Sequence, residues 1–280
     1  MKRLKTLLEK ELIEYSVVVK LPLFLALFAV INFAMVMSGD NVSFSVQTSG
    51  AGLFDWGDSS GQFAGLIGKL NEIVAGVLYL VLFLIYVPKT LRKEKQEGSL
   101  MFWRSMPVSD HLAIAAKLIF ALCIVPIIAS ILLLFSDFIV WLLATFFMSA
   151  DMLTSFTISL TSLGVHWVSF IGRLAVMSLA LFPLACGFFV VSQLTRYPLL
   201  TAILAVVMFK IAMYQATGSS SAGDALAEIY WLPASILTSA VPVDTYVSFG
   251  LFNNVMLIVL GIAFFYASAW LRGRDDMLKM

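Results

Sequence analysis

The chain has 280 residues, of which 61% are hydrophobic and only 12% are charged, and its net charge is +1. Its mean hydropathy of +0.97 is far above that of an ordinary soluble domain. A net charge near zero excludes the basic field typical of nucleic-acid-binding proteins. The two cysteines, Cys123 and Cys186, lie inside apolar runs and predict no disulfide framework.

The first sixteen residues alternate apolar and charged side chains at helical spacing. This pattern predicts either a helix lying in the membrane interface or the first turns of the first span, and both interpretations stay open. The apolar run that follows is longer than a signal peptide's and lacks a small-x-small cleavage site, so we interpret it as a retained span. The apolar positions of the amphipathic segment are Leu4, Leu7, Leu8, Leu12 and Tyr15.

Long apolar runs predict an all-α integral membrane protein with a single transmembrane domain over residues 1–280. About 20 apolar helical residues cross a hydrocarbon layer of roughly 30 Å. We place six spans near residues 17–38, 71–88, 112–134, 174–194, 198–217 and 251–270.

Three connecting segments are harder to interpret. Residues 112–150 are long enough for two spans, but a seventh crossing would place Arg196 and the basic tail outside. We therefore expect one span followed by an interfacial or re-entrant segment at residues 138–150. Residues 156–172 predict an amphipathic approach to span 4, and residues 222–248 predict either short helices dipping into the outer leaflet or an ordinary folded loop.

The distribution of basic residues predicts the orientation of the chain. The segments assigned to the cytoplasm hold most of the Lys and Arg residues, whereas those assigned to the outer side hold only Lys69 and Arg173. By the positive-inside rule, both termini of this multi-pass protein are expected in the cytoplasm, with the chain in the inner (cytoplasmic) membrane of a bacterium.

The loop between spans 2 and 3 contains the main functional signal. Mixed charges at Lys89 to Glu97 precede Gly98, an apolar stretch from Leu100 to Trp103, and Pro107. Apolar and charged residues in this order are typical of a short helix along the membrane surface, with one face in lipid or in the groove of a partner.

The loop resembles that of the permeases of type-2 ATP-binding cassette (ABC) exporters. The string EKQEGSL at residues 94–100, then SMPVS at 105–109 and Lys117, is similar to the family's acidic residue, Gly and Thr or Ser, followed by a Leu-Pro-Val-Ser-like turn. Met106 stands where Leu is commoner in the family.

The resemblance implies an N-terminal interfacial helix and, over about residues 89–109, a cytoplasmic coupling helix. It also implies a second copy of the chain and a separate cytosolic ABC ATPase subunit, which binds the ATP and Mg. The chain itself is expected to hold no cofactor and no metal. The residues expected to contact the ATPase are Glu97, Gly98, Phe102, Trp103 and Arg104.

No phosphate-binding loop occurs in the chain, since Gly65 to Leu70 lacks the required spacing and hydroxyl. ATP hydrolysis, if transport is active, must come from another polypeptide. An intramembrane enzyme and a passive membrane anchor or assembly factor remain as alternatives. The two histidines, His111 and His166, fall on opposite sides of the proposed membrane and cannot share a metal or an acid–base reaction.

Two charges inside the proposed spans are candidates for function because a charge in hydrocarbon is costly. Lys210 either extends its amine to the outer headgroups or faces a dimer cavity and pairs with Glu72. Gly76, Gly187 and Gly261 are expected to allow close approach between helices. The substrate is not readable, although an amphipathic or lipid-like molecule is one candidate.

Overall fold

The computed structural model describes residues 2–38, 63–96 and 109–274, and every regular element in them is helical. The helices are α1 (Lys2–Glu14), α2 (Val17–Ser38), α3 (Leu66–Gln96), α4 (Asp110–Ile119), α5 (Val125–Phe147), α6 (Ala150–Ser155), α7 (Leu160–Leu194), α8 (Pro198–Thr217), α9 (Ser221–Thr238), α10 (Pro242–Ser248) and α11 (Leu251–Arg274), with a π-helical turn over Phe120–Ile124.

Six helical segments of the described chain are long and apolar enough to cross a membrane, which confirms the predicted number of spans. They are Val17–Met35, Leu66–Glu94, Asp110–Phe147, Ala150–Leu194, Pro198–Thr217 and Leu251–Arg274. The third of these contains α4, the π-helical turn and α5, and the fourth contains α6 and α7.

The expectation of an interfacial or re-entrant segment at residues 138–150 is wrong for most of that range. Helix α5 continues without interruption to Phe147. Its last turns belong to a small apolar cluster that includes Ala144, Ile158 and Leu163. The same cluster explains why α7 begins early, at Leu160, so that residues 160–172 extend span 4 and are not a separate approach helix.

A proline accounts for the π-helical turn in the middle of the third span. Pro126 has no N–H group and its ring would clash with the carbonyl of Leu122 in a regular helix. The chain widens one turn instead, and the N–H of Val125 donates to the carbonyl of Phe120, five residues earlier. The helix thus continues through the proline without a break.

The helix bundle has two ends. We call the end that holds α1 and the last turn of α11 the terminal face, and the opposite end the distal face. The ends of α3 and α7 and the start of α4 also lie at the terminal face, where Arg92 Nη1 donates to the carbonyl of Thr195 at 2.8 Å. The starts of α3 and α7 and the end of α9 lie at the distal face.

The core lies among α3, α5 and α7. Tyr79, Phe83 and Tyr86 of α3 are at most 1% exposed, as are Phe120 and Phe170. Polar links connect neighbouring spans within this core. The hydroxyls of Tyr79 and Ser178 lie 2.9 Å apart, and Gln193 Nε2 donates to Ser268 Oγ at 2.6 Å.

Close approach of helices at glycines is confirmed at two of the predicted positions. A Cβ atom at Gly261 of α11 would lie 2.6 Å from Phe182 Cε1 and 3.1 Å from the Pro183 backbone. One at Gly76 of α3 would lie 2.1 Å from Leu237 Cδ1 of α9. Only glycine therefore fits these contacts without displacement of a neighbour.

The Gly261 contact gives a stability prediction. Gly261→Ala is expected to destabilise the purified protein by about 1–3 kcal/mol, because the added methyl group overpacks the α7–α11 contact. Gly172→Ala on α7 is the control, since a Cβ atom there meets nothing within 4 Å. Thermal unfolding in detergent would measure both, and equal melting temperatures for the two variants would contradict the tight contact.

Candidate functional site

The candidate site surrounds the two ends of the segment 97–108. Helix α3 ends before it at Gln96, and α4 begins after it at Asp110, where the Ser109 side chain accepts a hydrogen bond from the Leu112 N–H. The predicted ATPase contacts Glu97, Gly98, Phe102, Trp103 and Arg104 lie outside the described residues. What the structure describes is how the two helices that flank this segment are anchored.

Lys117 of α4 is the centre of the anchor. Its side chain is 2% exposed, and its Nζ lies 2.6 Å from Glu11 Oε1 and 3.0 Å from Glu94 Oε1. The same amine donates to Thr90 Oγ1 at 3.0 Å. One buried cation therefore joins three helices, α1, α3 and α4.

Helix α1 contributes carboxylates as well as its apolar side chains. Glu11 is 2% exposed, and its Oε2 accepts hydrogen bonds from Tyr86 at 2.8 Å and Thr90 at 3.3 Å. Lys10 Nζ lies 2.7 Å from Glu94 Oε1, and Glu14 pairs with Lys93 at 3.5 Å. The N-terminal segment is thus a separate helix that is docked onto the ends of α3 and α4 by ion pairs. The spacing of its apolar residues did not predict these ion pairs.

Arg272, in the last turn of α11, bridges the two flanks of segment 97–108. Its Nη2 lies 3.2 Å from Glu94 Oε2, and its Nε lies 3.0 Å from Asp110 Oδ1. Glu94 is three residues before the segment and Asp110 is two residues after it. The last span therefore holds both ends of the loop in one place.

We call this set of charged residues the ionic junction. Among the residues that the structure describes, it contains four cations and four carboxylates, whose formal charges balance. Balance matters here, because a buried charge that loses its partner is strongly destabilising. The members are Lys10, Lys93, Lys117 and Arg272 with Glu11, Glu14, Glu94 and Asp110.

Aromatic side chains shield the junction on one side. Tyr15 and Tyr86 meet edge to face, with ring centroids 4.7 Å apart, and Lys93 Nζ lies 4.8 Å from the centroid of Tyr15. Burial raises the pKa of the Tyr15 phenol above its usual value, and the nearby carboxylates of Glu11 and Glu14 raise it further. Tyr15 therefore stays neutral beside the carboxylates.

A second group of buried charges lies at the distal face. Glu72 of α3 pairs with Lys69 at 3.0 Å and with Arg173 of α7. Arg173 Nη1 also donates to the carbonyls of Ile236, Leu237 and Ser239, at 2.8, 3.0 and 2.5 Å. The arginine thereby caps the C-terminal end of α9 and links it to α3.

Within the chain Lys210 does not pair with Glu72, whose carboxylate contacts Lys69 and Arg173. Lys210 instead donates to the Tyr230 hydroxyl of α9 at 3.4 Å. The two charges predicted together from sequence thus belong to different parts of the molecule.

The two histidines are also separate. His166 Nδ1 lies 2.7 Å from Oδ2 of Asp137, a fully buried carboxylate whose other oxygen accepts from Asn71 at 3.1 Å. His111 packs against the rings of Phe265 and Tyr266 at the other end of the bundle. No group of three or more His, Cys, Asp or Glu residues suited to a metal occurs in the described ranges.

Sequence reasoning noted Glu94 and Lys117 as parts of a motif but missed Glu11, Asp110 and Arg272 as their partners. One signal was present in the sequence. Lys117 is a charge within an apolar run, and such a residue is expected to have a partner inside the protein. Which carboxylate supplies the partner depends on how the helices pack, and no local pattern gives this.

Comparison of the chain with protein-family models, with curated proteins and with solved structures found no match. A functional assignment therefore depends on the residues and the geometry described above.

The central position of Lys117 gives a direct prediction. Lys117→Met is expected to destabilise the protein by about 3–5 kcal/mol, because Glu11 and Glu94 would stay buried without their shared cation. Lys20→Met is the matched control, since Lys20 is exposed in the first turn of α2. Thermal unfolding in detergent would show the difference.

A second variant separates lost pairing from lost packing. Adding Glu11→Gln to Lys117→Met should recover part of the stability, because the uncompensated carboxylate is then removed. If the double variant is less stable than Lys117→Met by the full cost of Glu11→Gln alone, the two residues are not coupled and the interpretation is wrong.

Proposed function

We propose that this chain is the transmembrane permease subunit of an ATP-driven ABC-type exporter, moving an unidentified substrate across the inner membrane. In this proposal both termini and the terminal face lie in the cytoplasm. ATP and Mg bind to a separate cytosolic ATPase subunit, and segment 97–108 contacts that subunit as a coupling helix.

The observation that supports this proposal most is the anchoring of both flanks of segment 97–108 by Arg272 and Lys117. A loop that only connects two spans has no need of a buried, charge-balanced base. A loop that receives a displacement does need one, since the displacement must pass to the spans and not be absorbed at flexible ends. The ionic junction provides such a base.

Motion of the loop would then reach several spans together. Lys117 joins α4 to α3 and α1, and Arg272 adds α11. Movement of the partner ATPase against the loop would tilt these helices as one unit and switch the access of a central cavity, in the manner of rigid-body transitions in other switching proteins.

Helix α3 would carry the motion to the distal face. Glu94 and Glu72 lie 22 residues apart on this helix, which corresponds to about 33 Å at the α-helical rise. Glu94 belongs to the ionic junction, and Glu72 pairs with Arg173, which holds the end of α9. A shift at one end of α3 therefore acts on the distal helices through a second ion pair.

The proposal includes a second copy of the chain. Helices α2 and α8 have few buried residues, and α8 exposes a long apolar surface that includes Leu200, Leu204, Met208 and Ile211. In a membrane such surfaces face lipid or another protein. They provide room for a homodimer without disturbing the core.

Co-purification tests whether the chain binds an ATPase subunit. The tagged chain, solubilised from its native membrane, is expected to recover an ATPase subunit, and a variant carrying Glu97→Ala and Arg104→Ala is expected to lose it. Loss of a charge at the centre of an interface typically costs affinity severely. Recovery of no ATPase with the wild type would contradict the proposal and favour an enzyme or an anchor.

A separate experiment tests whether Arg272 transmits the motion of the ATPase to the spans. Arg272→Gln should keep the ATPase bound but abolish transport-coupled changes in its hydrolysis rate, because α11 no longer holds Glu94 and Asp110. Arg274→Gln is the matched control, since Arg274 is exposed and lies over the Trp270 ring at 5.1 Å. ATPase rates of the reconstituted complex are the measurement, and equal rates for the two variants would refute a transmitting role for Arg272.

A further inference from the structure

Lys210 differs from the other charged residues in the described spans. Lys69, Glu72, Asp137, Arg173 and Lys117 each lie beside an oppositely charged or titratable partner. Lys20 is exposed in the first turn of α2, and Lys89 is exposed in the charged final part of α3, close in sequence to Arg92 and Lys93. Lys210 lies in the body of α8, twelve residues from its start and seven from its end.

The two acidic residues of the neighbouring helix α9 do not neutralise Lys210. Asp224 accepts a hydrogen bond from Ser220 at 2.7 Å, and neither Asp224 nor Glu228 forms an ion pair with the Lys210 amine. An unpaired charge at this depth is unfavourable in hydrocarbon. Among the residues that the structure describes, no carboxylate pairs with Lys210, so its charge is available to an external anion.

The Lys210 side chain packs on helix α9 and places its amine beside Tyr230. The stem of the side chain crosses Gly223, where a Cβ atom would lie 3.1 Å from Lys210 Cγ. The amine reaches Tyr230, with Nζ 3.4 Å from the hydroxyl and 5.8 Å from the ring centroid. An ammonium group has three donors, and Tyr230 uses one of them. Two donors therefore remain for a ligand.

The surface around the amine is apolar and exposed. Val207 and Ile203 lie on the same face of α8, about one and two turns toward its start, and Tyr214 lies one turn toward the distal end. Trp231 is exposed beside Tyr230. A molecule that places an anion on Lys210 would thus lay an apolar chain along Ile203 and Val207.

The depth of Lys210 places its anion near the headgroup level. Lys210 lies about 10 Å from the distal end of α8 by helical rise, and an extended lysine side chain brings its amine nearer to the headgroup level. A phosphate presents oxygens to a point charge of this kind. We propose that Lys210 and Tyr230 form a binding site for the phosphate of an anionic phospholipid in the leaflet at the distal face, with one acyl chain along Ile203 and Val207.

The site can be tested by native mass spectrometry of the full-length, detergent-purified chain titrated with dioleoyl phosphatidylglycerol or dioleoyl phosphatidylcholine. The wild type should retain phosphatidylglycerol preferentially. Lys210→Met should weaken that binding by about ten-fold, the effect of losing one charge-assisted contact. Lys210→Arg should keep it, and Lys20→Met, which removes an exposed lysine from another span, should leave it unchanged.

Several results would overturn the proposal. The first is equal binding of the two lipids by the wild type, and the second is equal binding of phosphatidylglycerol by Lys210→Met and the wild type. The third is displacement of the lipid by excess inorganic phosphate, which would mean that the site binds a free anion. The same spectra report oligomeric state, so conversion of a dimer to a monomer by Lys210→Met would instead place the counter-charge in a second copy. None of these results depends on an ATPase partner.

Discussion

The arrangement of the terminal face depends on one buried cation, Lys117, shared by the carboxylates of Glu11 and Glu94. These three residues are each 2% exposed. Placing charges in such surroundings is unfavourable unless every charge has a partner, and breaking one pair leaves another charge exposed to the low dielectric of the interior. The four helices that meet at the junction are therefore constrained to move together or not at all.

This constraint explains the contrast between the two faces of the bundle. At the terminal face the ion pairs connect helices that are distant in sequence, since Lys117 and Glu11 are 106 residues apart. At the distal face Arg173 links Glu72 to the end of α9. Helix α3 contributes a buried glutamate to each face, Glu94 at the terminal face and Glu72 at the distal face. It is the element through which a change at one face has the most direct physical route to the other.

The spans were predictable because a membrane requires about 20 apolar residues per crossing and the chain shows six such runs. The lengths of the helices were less predictable. Residues 138–147 were expected to leave the span, yet α5 continues, and its Ala144 belongs to an apolar cluster with Ile158 and Leu163 from the next segment of the chain. A tertiary contact decided where the helix ends, and hydropathy does not contain that information.

The candidate site was predictable only in part, for a similar reason. The charge of Lys117 inside an apolar run indicated a buried partner, and Glu94 stood in the motif that directed attention to the loop. Glu11 and Arg272 had no comparable signal, because one looked like the polar side of an amphipathic helix and the other like an ordinary basic residue at the end of a span. Their role follows from how α1 and α11 dock.

The most direct test of the account is hydrogen–deuterium exchange of the wild type and Glu11→Gln. If the ionic junction is one cooperative unit, exchange should rise together in α1, in the last turns of α3, in α4 and in the last turns of α11, with the start of α7 unchanged. An increase confined to α1 would contradict the account, since Glu11 would then hold only its own helix in place.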